Sequence, residues 1–155
     1  MQTYKALMLF SVSAAILSGC ATTKQTTLRF HEQVSSALPE SHVLPVQIPG
    51  TGLKLTVNPA PTLSERDVQA AEIYKTAGGA AVLLRFDPHG VFALDEMTTR
   101  TRGQYIVIFL NEKPVAAWMV DRRLTNGQFL LEGDFSDEQA QQTVDALNQA
   151  SKKRK

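Results

Sequence analysis

Two apolar runs of β type, Tyr105-Ile106-Val107-Ile108-Phe109-Leu110 and Val115-Ala116-Ala117-Trp118-Met119-Val120, constrain this chain more than anything else in it. The linking Asn111-Glu112-Lys113-Pro114 predicts a hairpin with a four-residue turn. Neither run alternates cleanly between apolar and polar residues, and a strand that is apolar on both sides is normally covered on both sides. The hairpin is therefore predicted to be core. It carries no reactive side chain, so it specifies a fold without specifying a chemistry.

The first 19 residues have the form of an export signal and are set apart from the fold. Lys5 supplies the positive start, and the apolar stretch from Ala6 to Leu17 is shorter than the ~20 residues of a comfortable membrane span. It runs into Leu17-Ser18-Gly19-Cys20, which resembles the bacterial lipobox, where the cysteine thiol takes a diacylglycerol and the chain is cut just before it. Residues 1–19 are thus predicted as a lipoprotein signal peptide and 20–26 as a tether, in which Ala21 to Gln25 are small and polar. Residues 27–150 form one folded domain, and 151–155 a basic tail.

Cys20 is the single cysteine, so stability has to come from a packed core rather than from an internal disulfide. The chain has 16 basic and 15 acidic residues; losing Lys5 with the signal leaves 15 of each, a net charge of zero. That balance argues against a nucleic-acid binder, which needs a basic stripe. Lys152-Lys153-Arg154-Lys155 ends the chain and reads as a solvated terminus, or as a patch for anionic lipid.

Leu28 and Phe30 alternate with Arg29 and His31, which predicts an edge strand from Thr27 to Val34. Residues 35–41 read as a loop. Residues 43–48 and 53–57 flank Pro49-Gly50-Thr51-Gly52 as a second hairpin. Ser64-Glu65-Arg66-Asp67 has the pattern of a capped helical turn. Beyond it the alternation of Ala71, Ile73 and Lys75 against Glu72 and Tyr74, with a reversal at Ala77-Gly78-Gly79, favours a third hairpin; an all-helical segment over 64–76 is the alternative. Asp87-Pro88 is a helix start, with the aspartate as N-cap and the proline where no N–H is needed. Leu94, Met97 and either Val91 or Ala93 form that helix's inner stripe. Residues 127–133 read as a further short strand. Ser136 and Gln139 then have capping-box spacing, with Phe135 placed as a staple and Ala140, Val144 and Leu147 as an apolar stripe.

Taken together, Phe86-Asp87-Pro88-His89-Gly90, Thr98, Gly103, Leu110-Asn111, Ala117, Gly127, Gly133-Asp134-Phe135-Ser136 and the stretch from Ala140 to Leu147 resemble the head subdomain in the first periplasmic domain of SecD, the accessory subunit of the bacterial Sec translocase. The likeness is closest over residues 61–150. It implies an α+β fold, a mixed, mainly antiparallel sheet with two principal helices packed on it. Two departures stand out: the family usually has proline where Trp118 stands, and SecD continues into transmembrane helices whose charges couple to the proton gradient. A pump role is therefore not carried over.

His31, His42 and His89 are the only histidines, and none has a second histidine, a cysteine or a carboxylate pair at ligand spacing in the sequence, so no metal is predicted. No Gly-x-Ser-x-Gly elbow and no phosphate-binding glycine loop is present, and Asp95-Glu96 and Asp137-Glu138 are neighbours that do not face each other on a helix. No catalytic residue and no cofactor is expected, and the chain reads as a non-enzyme. Trp118 is either core or, with Ala116 and Val120, a sheet-face patch for an extended partner.

The resulting expectation is an envelope lipoprotein, anchored in the bilayer through acylated Cys20, that binds unfolded exported protein or another envelope protein, with no nucleic-acid partner. A structural lipoprotein holding an envelope complex or the cell wall is the alternative, and a small-molecule carrier a third. Because Ala21 is not the aspartate that favours inner-membrane retention, the outer membrane facing the periplasm is the expected location. Two or three long acyl chains hold a protein essentially permanently, at about 0.8 kcal/mol per buried CH₂. Cys20→Ala is expected to leave an unlipidated, unprocessed precursor; sucrose-gradient fractionation of the unaltered protein at inner-membrane density would refute the location.

Overall fold

The computed structural model describes residues 26–34, 39 and 42–154. The predicted signal peptide, Cys20, the predicted tether up to residue 25, residues 35–38 and 40–41 of the predicted loop, and Lys155 lie outside the described residues. Within them the order is β1 (Leu28–Glu32), β2 (Leu44–Gln47), β3 (Lys54–Val57), β4 (Leu63–Ser64), a 3-10 turn (Glu65–Asp67), β5 (Val68–Thr76), β6 (Gly79–Phe86), α1 (Pro88–Arg100), β7 (Tyr105–Leu110), β8 (Lys113–Met119), β9 (Gln128–Leu131) and α2 (Asp137–Lys152). The fold is α+β with two principal helices, as the sequence predicts. Its strands divide into three sheets: β4-β1-β7-β8, the β2-β3 hairpin, and β5-β6-β9. Each pairing among these strands is antiparallel.

β7 explains the arrangement. Ile106 and Ile108 are fully buried in the main core, and on the opposite face Val107 and Phe109 are buried in a second cluster. The main core gathers Leu28 and Phe30 from β1, Val82 and Leu84 from β6, Leu94 and Met97 from α1, and Leu147 from α2. The β2-β3 hairpin closes the second face with Val46, Ile48, Leu55 and Val57. A four-stranded sheet with both faces covered accounts for a run of six apolar residues with no alternation.

Three sequence expectations change. β1 is an interior strand, paired with β4 on one side and β7 on the other, not an edge. Its polar positions mislead because the His31 imidazole is itself buried: the ring lies 4.8 Å from that of Phe109, and Nδ1 is 2.8 Å from Asn58 O. The β7-β8 turn has two residues, not four. Asn111 and Glu112 both adopt positive φ, 50° and 66°, the conformation that suits a two-residue hairpin. Lys113 and Pro114 already belong to β8, and the register shifts between Ile108↔Ala116 and Phe109↔Pro114, leaving Val115 as the extra residue of a bulge. The C-terminal stretch is tied down through Arg154, whose Nη2 donates to Val68 O at 2.8 Å.

Residues 64–76 resolve as the 3-10 turn followed by β5, with the reversal at the predicted glycines. Ser64 caps the turn by accepting from Arg66 N, and its own N–H donates to Asp67 Oδ2. Asp87 caps α1 by accepting from Gly90 N, and Ser136 and Gln139 form the capping box of α2. Gly127 is held at φ +66°, and a Cβ there would meet Val91 Cγ2 at 2.3 Å, so α1 packs closely only because that position is glycine. α2 adds a polar seam: Asn148 exchanges two hydrogen bonds with Ala71, and Ser151 Oγ donates to Gln69 O.

Two outcomes follow from the doubly covered strand. Ile108→Ala is expected to lower stability by about 2–5 kcal/mol, and Val107→Ala, on the opposite face, to lower it as well; urea unfolding reads both, and a silent Val107→Ala would mean that the second cluster is not core. Glu112→Gly is expected to raise stability by about 1 kcal/mol, because a non-glycine residue pays for the left-handed conformation.

Candidate functional site

β8 is bonded to β7 along one edge, and among the described residues no strand pairs with the other. That edge opens into a groove of about 420 Å³. Val115, Ala116 and Ala117 line it from the strand, Pro49, Gly50 and Leu53 from the tip of the β2-β3 hairpin, and Glu132, Gly133 and Asp134 from the segment between β9 and α2. The two walls stand on opposite faces of the sheet, since Ala117 packs in the hairpin's cluster and Ala116 in the main core. Small side chains at 116 and 117 leave the backbone approachable. Lys113, Pro114 and the bulge blunt the first part of the edge, a device that limits indiscriminate pairing.

Trp118, Ala116 and Val120 are not placed together as an exposed face. Trp118 stands opposite Ile106, is half-buried against the main core, and meets the Phe129 ring edge-on at 5.6 Å and 80°. Ala116 is likewise half-buried, and Val120 is only 1% exposed, with its N–H donating to Gln104 O and its carbonyl accepting from Gly103 N. Val120 therefore has no surface to offer a partner. Past the bulge, what β8 presents is its backbone edge and the side chain of Met119, which is 53% exposed. Cys20 lies outside the described residues.

The fold does assemble one group that sequence spacing hides. His89 Nδ1 is 2.8 Å from Asp67 Oδ1, and Asp67, Asp87 and His89 each offer a ligand atom within 4.8 Å of the others. Residue separation concealed it, since Asp67 arrives from the 3-10 turn when β5 folds back along β6. Both carboxylates have structural duties, however: Asp67 Oδ2 accepts from Ser64 N and Oγ, and Asp87 Oδ1 accepts from Gly90 N. A Cβ at residue 90 would lie 3.0 Å from Asp67 O, which shows how closely the two caps are packed.

Several charged groups in the rest of the domain are paired. Arg100 reaches both Glu32 and Glu96, and Arg123 binds Asp95 through two nitrogens. Burial pushes the Glu32 carboxyl up, but hydrogen bonds from Arg100 and Thr62 and the Arg100 charge outweigh it and hold the group below its usual value. His31 is shifted down, chiefly by burial and further by the Arg29 charge, with the bond to Asn58 opposing. A histidine depressed in the fold binds its proton less readily than the unfolded chain does, near pH 6.5. Stability should therefore decline as pH falls from about 7.5 to 5.5, and His31→Gln should flatten that part of a melting-temperature profile. Trp118→Ala should lower the urea midpoint with an unchanged slope, by roughly 3 kcal/mol, the low end for truncating a buried aromatic; a change within experimental error would place the ring outside the core.

Comparison with known proteins agrees with this architecture. The family model described as SecDF, P1 head subdomain, matches residues 41–151. Among solved structures, SecDF described as a membrane component that enhances protein export superposes with a TM-score of 0.61 at 20% identity, covering 80% of this chain and 62% of that one. SecDF in its super-membrane-facing form gives 0.62 at 20% identity, over 80% of this chain and 19% of that one. The translocon-associated SecDF of Thermus thermophilus gives 0.51 at 21% identity, over 83% and 20%. The chain thus spans less than two thirds of the first and about a fifth of the other two, and at these identities the likeness is one of fold. No curated protein matches. With the matched segment running from before β2 into the last turn of α2, the chain belongs to the SecDF P1 head subdomain family.

Proposed function

We propose that this protein is a non-enzymatic protein- or peptide-binding module of the bacterial envelope, acting in connection with protein export. The observation that carries the reading is the groove beside β8, an unpaired strand edge walled on both sides, on a P1-head fold. Strand addition to such an edge draws its affinity from main-chain hydrogen bonds, which any extended chain can make, so it suits clients that share no fold. SecDF is described as enhancing protein export and as associated with the translocon, and those descriptions support a client of this kind.

Lipid attachment at Cys20 supplies the membrane anchor in this reading, with the domain facing the periplasm. No helix among the described residues is long and apolar enough to cross a membrane. The outer-membrane location rests on Ala21 after the lipidated cysteine.

Crosslinking in intact envelopes followed by pull-down of the protein tests the proposal. Translocase subunits or unfolded exported chains are expected among the partners. Recovery of cell wall or of a stable envelope complex alone would replace this reading with that of a structural lipoprotein.

A further inference from the structure

The groove has a charge of its own. Glu32, Glu65, Glu72, Asp95, Glu96, Asp121 and Asp137 all have cationic neighbours within ion-pair distance. Asp67, Asp87, Glu138 and Asp145 accept hydrogen bonds. Among the described residues the carboxylates with neither are Glu112, Glu132 and Asp134. Two of them, Glu132 and Asp134, form one wall of the groove; Glu112, in the turn before the strand, lies next to Lys113 and lines a separate pocket with Arg29 and His31. From Pro114 to Val120 the strand itself has no charge.

We propose that the β8 edge takes, as a fifth strand of the four-stranded sheet, a short extended segment of another polypeptide in which basic and apolar residues alternate. This rests on the protein-binding reading above and specifies its partner. The alternation is geometric. Successive side chains of an added strand point to opposite faces of the sheet. One face of this sheet carries the Glu132–Asp134 wall, which suits Lys or Arg; the other carries Ile48, Pro49 and Leu53 at the hairpin tip, which suits apolar side chains. The length is geometric too. Pro114 and the bulge at Val115 disturb the first part of the edge, so regular pairing is confined to the stretch from Ala116 to Met119, about 13 Å of strand. An acidic client meets two uncompensated carboxylates and is disfavoured by like-charge repulsion.

The test uses the purified chain and fluorescence anisotropy of a labelled peptide of about eight residues alternating Lys and Val, long enough to span the open part of the edge. Two comparison peptides are used, one alternating Glu and Val, the other the Lys-Val sequence with alternate backbone amides N-methylated. The Lys-Val peptide is expected to bind, with affinity falling as salt is raised, and the other two to bind at least about tenfold more weakly. The double variant Glu132→Lys, Asp134→Lys changes exposed side chains only, and an unchanged urea midpoint confirms its fold; it should weaken the Lys-Val peptide by about tenfold and improve the Glu-Val peptide. Equal binding of the Lys-Val and Glu-Val peptides overturns the charge assignment, and undiminished binding of the N-methylated peptide overturns strand addition. Absence of any peptide binding overturns this inference while leaving the protein-binding reading standing if exported chains are still crosslinked in envelopes; absence of both removes the two together.

Discussion

A strand buried on both faces cannot exist without two separate layers to bury it, and β7 meets that requirement in this molecule. Ile106 and Ile108 belong to a core built from β1, β6 and both helices, while Val107 and Phe109 belong to a cluster closed by the β2-β3 hairpin. The two layers depend on one backbone. Removing the hairpin would expose one face of β7, and loosening the helices would expose the other, so both have to form around the same strand. Apolar burial at about 25 cal/mol per Å² favours that arrangement without any disulfide.

The same geometry creates the candidate site. Covering both faces of the sheet leaves its outer edge as the place where backbone polar groups meet solvent, and the layers that shelter β7 become the walls beside β8. Proteins usually protect such an edge along its whole length. Here the protection is partial: Lys113, Pro114 and the bulge blunt the first part, while Ala116 and Ala117 leave the middle approachable. In the proposed reading, partial protection lets the edge refuse indiscriminate aggregation yet admit a chosen strand.

Much of this was legible in the sequence because the signals were local. Asp87-Pro88, the Ser136 and Gln139 box, and the glycines between β5 and β6 each act within a few residues, and each produced the predicted element. The family likeness rested on the spacing of such local features. What the sequence hid was non-local or two-sided. His31 looked like a solvent-facing residue because its burial depends on Phe109 and Asn58, which reach it only in the folded sheet. The four polar or helix-disfavouring residues 111–114 looked like one turn because nothing local distinguishes a two-residue turn followed by a bulge from a longer loop. Trp118 could not be assigned to core or surface until Phe129 was placed against it. The groove was invisible for the same reason, since its walls come from segments some eighty residues apart.

Residue-resolved amide hydrogen exchange on the intact protein tests the central claim, that β7 is sheltered from both sides while β8 has one open edge. The amides of β7 should exchange only with global unfolding, and protection along the stretch from Ala116 to Met119 should alternate, with N–H groups that face β7 slow and those that face the groove exchanging orders of magnitude faster. Uniformly slow exchange along β8 would contradict the account, because it would mean that the edge is already covered in the free protein.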